Sequence, residues 1–351
     1  MGVTAEDVIT SAPSSYGALC AVNAASLWWP AALLIPVFGA AVSDPAQIWH
    51  LAERCWNIAG HIRTASEEMT SAVKSCANEF HWNEKGKDAF MATRVTPYQS
   101  ALHDAAGNFD ALGVTLAVTA AGYTGLGLLS ATVGSALLTT VTAGALAGVA
   151  APGTALITNA RIAQIMKVVL NALRTIARYN GKATKAIVTV LQRQELSTRG
   201  ILALGAAGSA GVDFAGSPWA MNRVVDDVQW PKELPAGAAV PSGYEAPTAD
   251  QRSALKQIRP ESIVALAKRL DATADVELDA ACKEASDLHV GVPGFGVCGI
   301  PVDHVLKSAC GKAMDQLTAA RDTPGTWLPG LRTNAGNWVA AEHRFPIRIE
   351  H

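Results

Sequence analysis

Cys282, His289, Cys298, His304 and Cys310 crowd one short stretch of the chain, and thiolates with imidazoles are the ligands zinc prefers. Their intervals of 7, 9, 6 and 6 suit no common zinc site. The six cysteines include no CxxC pair. Neither a metal centre nor a cofactor is expected. Thiol pairing is the other chemistry open to this stretch. Folding it near Pro293 would bring Cys282 and Cys310 roughly opposite, for a disulfide that requires an oxidising compartment.

The same stretch holds Gly294-Phe295-Gly296-Val297-Cys298-Gly299, which fits the GxGxxG dinucleotide fingerprint. That fingerprint works only after a strand and inside a βαβ unit. A helical pattern precedes it here, and no Val/Ile-rich run lies nearby, so nucleotide binding is not expected. No Ser/His/Asp order, paired-carboxylate motif or HExxH occurs. His50, His61, His81 and His103 read as residues on helix surfaces or beside Trp82. Catalysis needs groups converging in a concave pocket, which helices with Ala-rich seams rarely form. The chain is therefore read as a non-enzyme.

Binding chemistry is better represented. On a helical wheel Lys167, Arg174, Arg178 and Lys185 lie within about 20° of one line, with Lys182 beside them. Ile162, Ile165, Val169, Leu173, Ile176, Ile187 and Leu191 take the opposite face, and Glu195 is the only acid between Arg161 and Arg199. A basic amphipathic helix of this kind binds anionic lipid headgroups. A solvated Lys/Arg face on a packed helix gives the same pattern.

Upstream, Ala111 to Ala160 contains no Asp, Glu, Lys, Arg or His. One bilayer crossing takes about 20 residues, so this run suits two. Gly122, Gly125, Gly127, Gly134, Gly144 and Gly148 permit close helix approach, and Pro152-Gly153 ends the run. The expectation is an apolar, Gly-rich helical hairpin of transmembrane type. The competing reading is a buried helical pair in a soluble bundle.

The elements that position these groups follow from periodicity. The chain has 351 residues, 50% of them hydrophobic but only 6% aromatic, which favours closely packed helices over a sheet core. A net charge of −2 argues against nucleic acid as a partner. Apolar or small residues recur in steps of four and three at Ile48, Ala52, Cys55, Ala59, Ile62, Ser66, Met69, Val73, Cys76 and Phe80. The rhythm resumes at Met91, Val95, Tyr98, Leu102, Ala105, Phe109 and Leu112. Two narrow seams around a Trp/Gly turn predict an antiparallel helical hairpin over 44–110. Pro97 falls inside its second helix and should kink it or cost about 3 kcal/mol.

A second hairpin is expected over 255–345. Its first seam runs Ile263, Ala267, Leu270, Ala274, Leu278, Ala281, Ala285 and Leu288, with Pro260 at the start. The return seam is Val302, Leu306, Ala309, Ala313, Leu317 and Ala320. Before it, 223–254 is a Pro-rich linker. Residues 161–222 hold the basic helix and a short apolar helix. Residues 1–43 are an apolar segment that Pro30 and Pro36 interrupt. With no early basic residue this segment is not a Sec signal peptide, and it either docks on the bundle or lies at an interface. The fold class is all-α.

Trp82, Gly86, Ala89 and Phe90 make the first hairpin resemble the WxG-type (Esx-like) proteins exported by type VII (ESX) secretion systems, with Glu84 where that family has Gly. The second resembles the EspC-like substrates of the same systems. Phe295-Gly296 matches their turn, and Trp338 with Glu342 stands where they carry Tyr and an acid four residues on. The resemblance implies a secreted or surface-associated type VII substrate that uses those residues as turn and export elements. It also implies pairing with a small helical-hairpin partner or with itself. Together with the uncharged run, it implies a membrane-associated effector, pore-forming and homo-oligomeric once inserted. The alternative is a soluble helical-bundle interaction protein of a type VII complex. A toxin with an enzymatic tip is the weakest reading.

Overall fold

Among the residues that the computed structural model describes (12–79, 90–148, 154–215, 260–291 and 293–344), every regular element is a helix. In chain order these are α1 (Ala12–Leu27), a 3-10 turn (Trp29–Leu34), α2 (Ile35–Ala40) and α3 (Pro45–Glu79). A π turn (Met91–Val95) leads into α4 (Thr96–Gly148), followed by α5 (Thr154–Ala215) and α6 (Pro260–Ser286). A 3-10 turn (Val297–Gly299) leads into α7 (Ile300–Arg344). The all-α class is thus what the chain adopts. The linker 223–254 and the turn residues Trp82, Gly86 and Ala89 lie outside the described residues.

Local chemistry sets the helix starts. Asp44 Oδ1 accepts hydrogen bonds from the Ala46 and Gln47 N–H groups at 3.1 and 3.3 Å, while Gln47 Nε2 donates back to Asp44 Oδ2 at 2.9 Å. With Pro45 as the first helical residue, α3 begins on a reciprocal cap. The expected conflict at Pro97 is resolved by the π turn just before it. Thr96 N–H reaches the Met91 carbonyl five residues back, which widens the turn where the proline ring would collide with an α-helical carbonyl.

The predicted seams are buried. Ile48, Ala52, Cys55, Ala59, Ile62, Met69 and Val73 of α3 are covered, as are Val95 at the end of the π turn and Tyr98, Leu102, Ala105, Phe109 and Leu112 on α4. So are Leu278, Ala281 and Ala285 on α6, Leu288 just beyond it, and Val302, Leu306, Ala309, Ala313, Leu317 and Ala320 on α7.

The chain packs as two compact units that cut across chain order. The first takes Met1–Gly60, Ala105–Leu196 and Ala281–Asp315; the second takes His61–Asp104, Ser197–Ala280 and Gln316–His351. Residues of both expected hairpins enter each unit.

In the second unit the two hairpins pair with each other. Gln99 on α4 donates to Thr70 Oγ1 and to the Ser66 carbonyl on α3 at 2.5 and 3.3 Å. Arg321 on α7 pairs with Asp279 on α6 at 3.3 Å. Between hairpins, the Tyr98 hydroxyl donates to the Ala320 carbonyl at 2.6 Å, and His61 meets Glu277 at 2.7 Å. Tyr98 and Phe90 both stand edge-on to Trp327, centroids 5.4 and 5.8 Å away. Each such contact is worth about 0.5–1.5 kcal/mol beyond area burial.

In the first unit, one expectation is corrected. The uncharged run is not a hairpin of its own: residues 111–148 continue α4 without a break, and 154–160 open α5. No proline interrupts residues 98–148. Isolated glycines cost about 1 kcal/mol each, too little to break a helix with one buried face. The hairpin is therefore α4 against α5, an apolar helix against the basic amphipathic one. Gly144 abuts Thr158, and Asn180 Nδ2 donates to the Tyr123 hydroxyl at 2.8 Å, so the two run antiparallel.

The N-terminal segment docks on this pair. Ala21, Ala24, Ala31, Leu34 and Phe38 share one buried cluster with Leu137, Val141, Ile162 and Val169. Gly17 and Gly134 bring α1 and α4 into backbone contact.

Candidate membrane-facing surface

The first unit leaves large apolar side chains uncovered. Of those exposed among the described residues, all but Leu202 and Val276 belong to it. The most exposed of them lie at the end of α4, at the start of α5 and on the docked 3-10 turn. Leu146 is 74% exposed, Leu156 79%, Ile157 60%, Trp29 79% and Leu33 62%. Trp28 Nε1 donates to Asn159 Oδ1 at 3.0 Å, which ties the 3-10 turn to the second turn of α5. Exposed apolar groups at this density mark a contact surface rather than ordinary solvent-facing residues.

An uncharged stripe continues from that end along α4. Val114, Val118, Ala121, Gly125, Leu128, Thr132, Thr139, Thr142 and Leu146 are exposed at helical spacing. It spans about 48 Å at 1.5 Å per residue, more than the ~30 Å hydrocarbon thickness of a bilayer. Its hydroxyls are already engaged. Thr132, Ser135, Thr139 and Thr142 donate to the carbonyls of Leu128, Thr132, Ser135 and Leu138 at 2.8–2.9 Å. Donors satisfied inside the helix ask nothing of water and tolerate lipid. By length and composition Met91–Ala147 is apolar enough to cross a bilayer, with 44% of its most apolar window buried; Trp29–Ser75 is as apolar in its best window but is divided between a 3-10 turn, α2 and α3.

The basic stripe stands as its spacing implies. Lys167, Arg174, Arg178, Lys182 and Lys185 are all exposed on α5, while Ile162, Val169, Ile176 and Ile187 on the other face are buried. Arg174 Nη1 donates to Asn171 Oδ1 at 3.1 Å, and Lys182 Nζ sits 5.8 Å from the Tyr179 ring centroid. None of the five forms an ion pair among the described residues, and 111–194 contains no acid. Glu195 is taken by Lys312 at 3.6 Å.

Between the 3-10 turn and α5 lies a groove of 370 Å³, lined by Pro30, Leu33, Ile162, Ala163, Met166 and Leu170, with Asn159, Lys167 and Arg174 as its polar members. It offers no nucleophile beside a base. Sequence reasoning placed the apolar segment 1–43 on the bundle or at an interface but did not single out this groove. The adjacent Trp28, Trp29 and Pro30 were its signal, since tryptophans favour membrane interfaces.

The remaining candidates sit elsewhere. Phe90 packs on Trp327 in the second unit. Trp338 and Glu342 lie on α7, beyond its described side chains.

The Phe295-Gly296 turn is built into the first unit. Phe295 is buried edge-on to Tyr123, and a β-carbon on Gly296, at φ +61°, would collide with the Val42 carbonyl. Gly299 is pressed equally against Phe295 and the Tyr123 hydroxyl, so the GxGxxG glycines serve close packing.

No disulfide joins Cys282 to Cys310. Both thiols are buried, each one position past a seam residue, Ala281 or Ala309. Among the described residues no three His, Cys, Asp or Glu side chains converge as metal ligands.

No family model, no curated protein and no solved structure matches this chain.

Proposed function

We propose that this protein is a type VII (ESX) secretion substrate that attaches to membranes through the exposed end of its first unit. One observation carries the membrane half of the reading. The uncovered Trp29, Leu33, Leu146, Leu156 and Ile157 adjoin a helix face bearing cations and no acid. Apolar residues enter the headgroup boundary while the Lys/Arg row meets anionic lipid, each cation near the surface adding about 1 kcal/mol. The secretion half rests on the resemblance of the two hairpins. The contacts of Tyr98 and Phe90 with Ala320 and Trp327 support a chain that supplies its own helical partner.

Flotation with vesicles containing phosphatidylglycerol tests the membrane reading. The protein should rise with them, and less so at high salt because exposed charges are screened. Trp82→Ala and Glu342→Ala test the export reading, since each should leave the protein inside the cell. Normal export of both would refute the signal assignment.

The second reading is a soluble interaction protein of a type VII complex. Burial of the other face of α4, at Leu112, Leu116, Tyr123, Leu137 and Val141, favours it. A protein that stays in the soluble fraction without detergent and ignores vesicles would decide for it.

A further inference from the structure

The groove beside the 3-10 turn has a chemistry more specific than general attraction to a charged surface. Its floor is aliphatic, from Pro30, Leu33, Ile162, Ala163, Met166 and Leu170. Lys167 and Arg174 stand on its α5 wall two helical turns apart, about 10.5 Å along the axis. Both are exposed, and neither has an acidic partner among the described residues. Asn159 spends its carbonyl oxygen on Trp28 Nε1 at 3.0 Å, while its exposed NH2 group donates to no other described residue. An apolar channel thus opens beside two cations and one spare amide donor, with the exposed Trp29 on the same 3-10 turn as Pro30 and Leu33.

We infer that this groove seats one acyl chain of an anionic phospholipid, with the lipid phosphate held between Lys167 and Arg174 and the Asn159 amide donating to a phosphate or ester oxygen. Charge complementarity selects this occupant. A second copy of the same face would set Lys and Arg against Lys and Arg with no acid to offset them. A zwitterionic lipid would bring its own cation to the same two residues. The lining suits an acyl chain, since Pro30 and Leu33 on one side and Ile162, Ala163, Met166 and Leu170 on the other are all apolar. The inference rests on the membrane reading and adds a stoichiometric lipid site to it.

The test uses the full chain on phosphatidylcholine vesicles doped with phosphatidylglycerol that carries a spin label midway along one acyl chain. Native protein should float and add a motionally restricted component to the spectrum. Labelled phosphatidylcholine in the same vesicles should give much less of it. Ala163→Trp fills the groove from an exposed position, so the fold, checked by circular dichroism and Tm, is retained. Flotation should persist while the restricted component is lost. Lys167→Gln with Arg174→Gln should abolish the preference for phosphatidylglycerol. If native protein floats without a restricted component, or if Ala163→Trp leaves that component unchanged, the groove site is wrong and the membrane reading stands. If native protein does not float, both fall.

Discussion

Tyr123 and Phe295 meet edge to face, ring centroids 6.4 Å apart at 61°, and so fasten the turn before α7 to the middle of α4. The contact is reinforced by Asn180, whose Nδ2 donates to the Tyr123 hydroxyl at 2.8 Å and to the Cys298 carbonyl at 2.7 Å. The Asp44 N–H donates to the Gly294 carbonyl at 2.7 Å, which brings the start of α3 to the same turn. Phe295→Ala should therefore cost about 3–5 kcal/mol, as large-to-small changes in cores do. Tyr123→Phe should cost about 1 kcal/mol, because Asn180 keeps its second acceptor. Urea unfolding measures both, and an unchanged midpoint for Phe295→Ala would contradict the packing described.

Two glycines of the α4–α5 hairpin should respond in opposite directions. Gly144 faces Thr158 with no room for a β-carbon, whereas Gly181 has nothing within 4 Å. Gly144→Ala should destabilise by about 1–3 kcal/mol through overpacking. Gly181→Ala should stabilise by about 0.5–1 kcal/mol, since alanine is the better helix former and the site is open. Equal effects from the two changes would mean that the helices do not touch at Gly144.

Asp275 on α6 gives a pH signature. Partial desolvation and the neighbouring Asp271 carboxylate raise its pKa above the ordinary carboxyl value, with Asp322 and Asp279 adding to the effect and Arg321 opposing it. A carboxyl whose pKa is raised on folding binds more protons in the native state. Its contribution is therefore favourable in acid and is lost as pH rises through the folded value. Asp275→Asn should raise Tm at pH 7, and the gain should vanish at pH 3, where the native side chain is itself neutral. A gain that persists unchanged at pH 3 would assign the effect to packing instead.

The thiols of the first unit should be slow to react. Burial pushes Cys310 up to about 12, and raises Cys55 further with help from Cys310. Only the thiolate is nucleophilic, so at pH 8 both should resist a soluble disulfide reagent in the native protein and react at once in denaturant. Fast native labelling at either position, read by peptide mapping, would show that these seams open.

Periodicity made much of the fold legible. Steps of three and four place Ile48 through Val73, Val95 through Leu112 and Val302 through Ala320 on single helix faces, and that spacing belongs to the chain before any packing occurs. Pro45 after Asp44, and Pro260, likewise announce helix starts through local backbone chemistry. The basic row on α5 was readable for the same reason.

What remained was decided by neighbours. The uncharged run reads as a hairpin of two helices, because its length suits two bilayer crossings; in the structure 111–148 continue one helix with one face buried and a stripe left open, and 154–160 open the next. The sequence marks Phe295-Gly296 as a turn, but only the structure shows that it packs against Tyr123 and Val42. The groove exists only because the 3-10 turn at Trp29–Leu34 is held against α5 by Trp28 and Asn159, residues 131 positions apart. Spacing along a chain determines which residues share a face, but only the surrounding helices determine which faces are left for something else to cover.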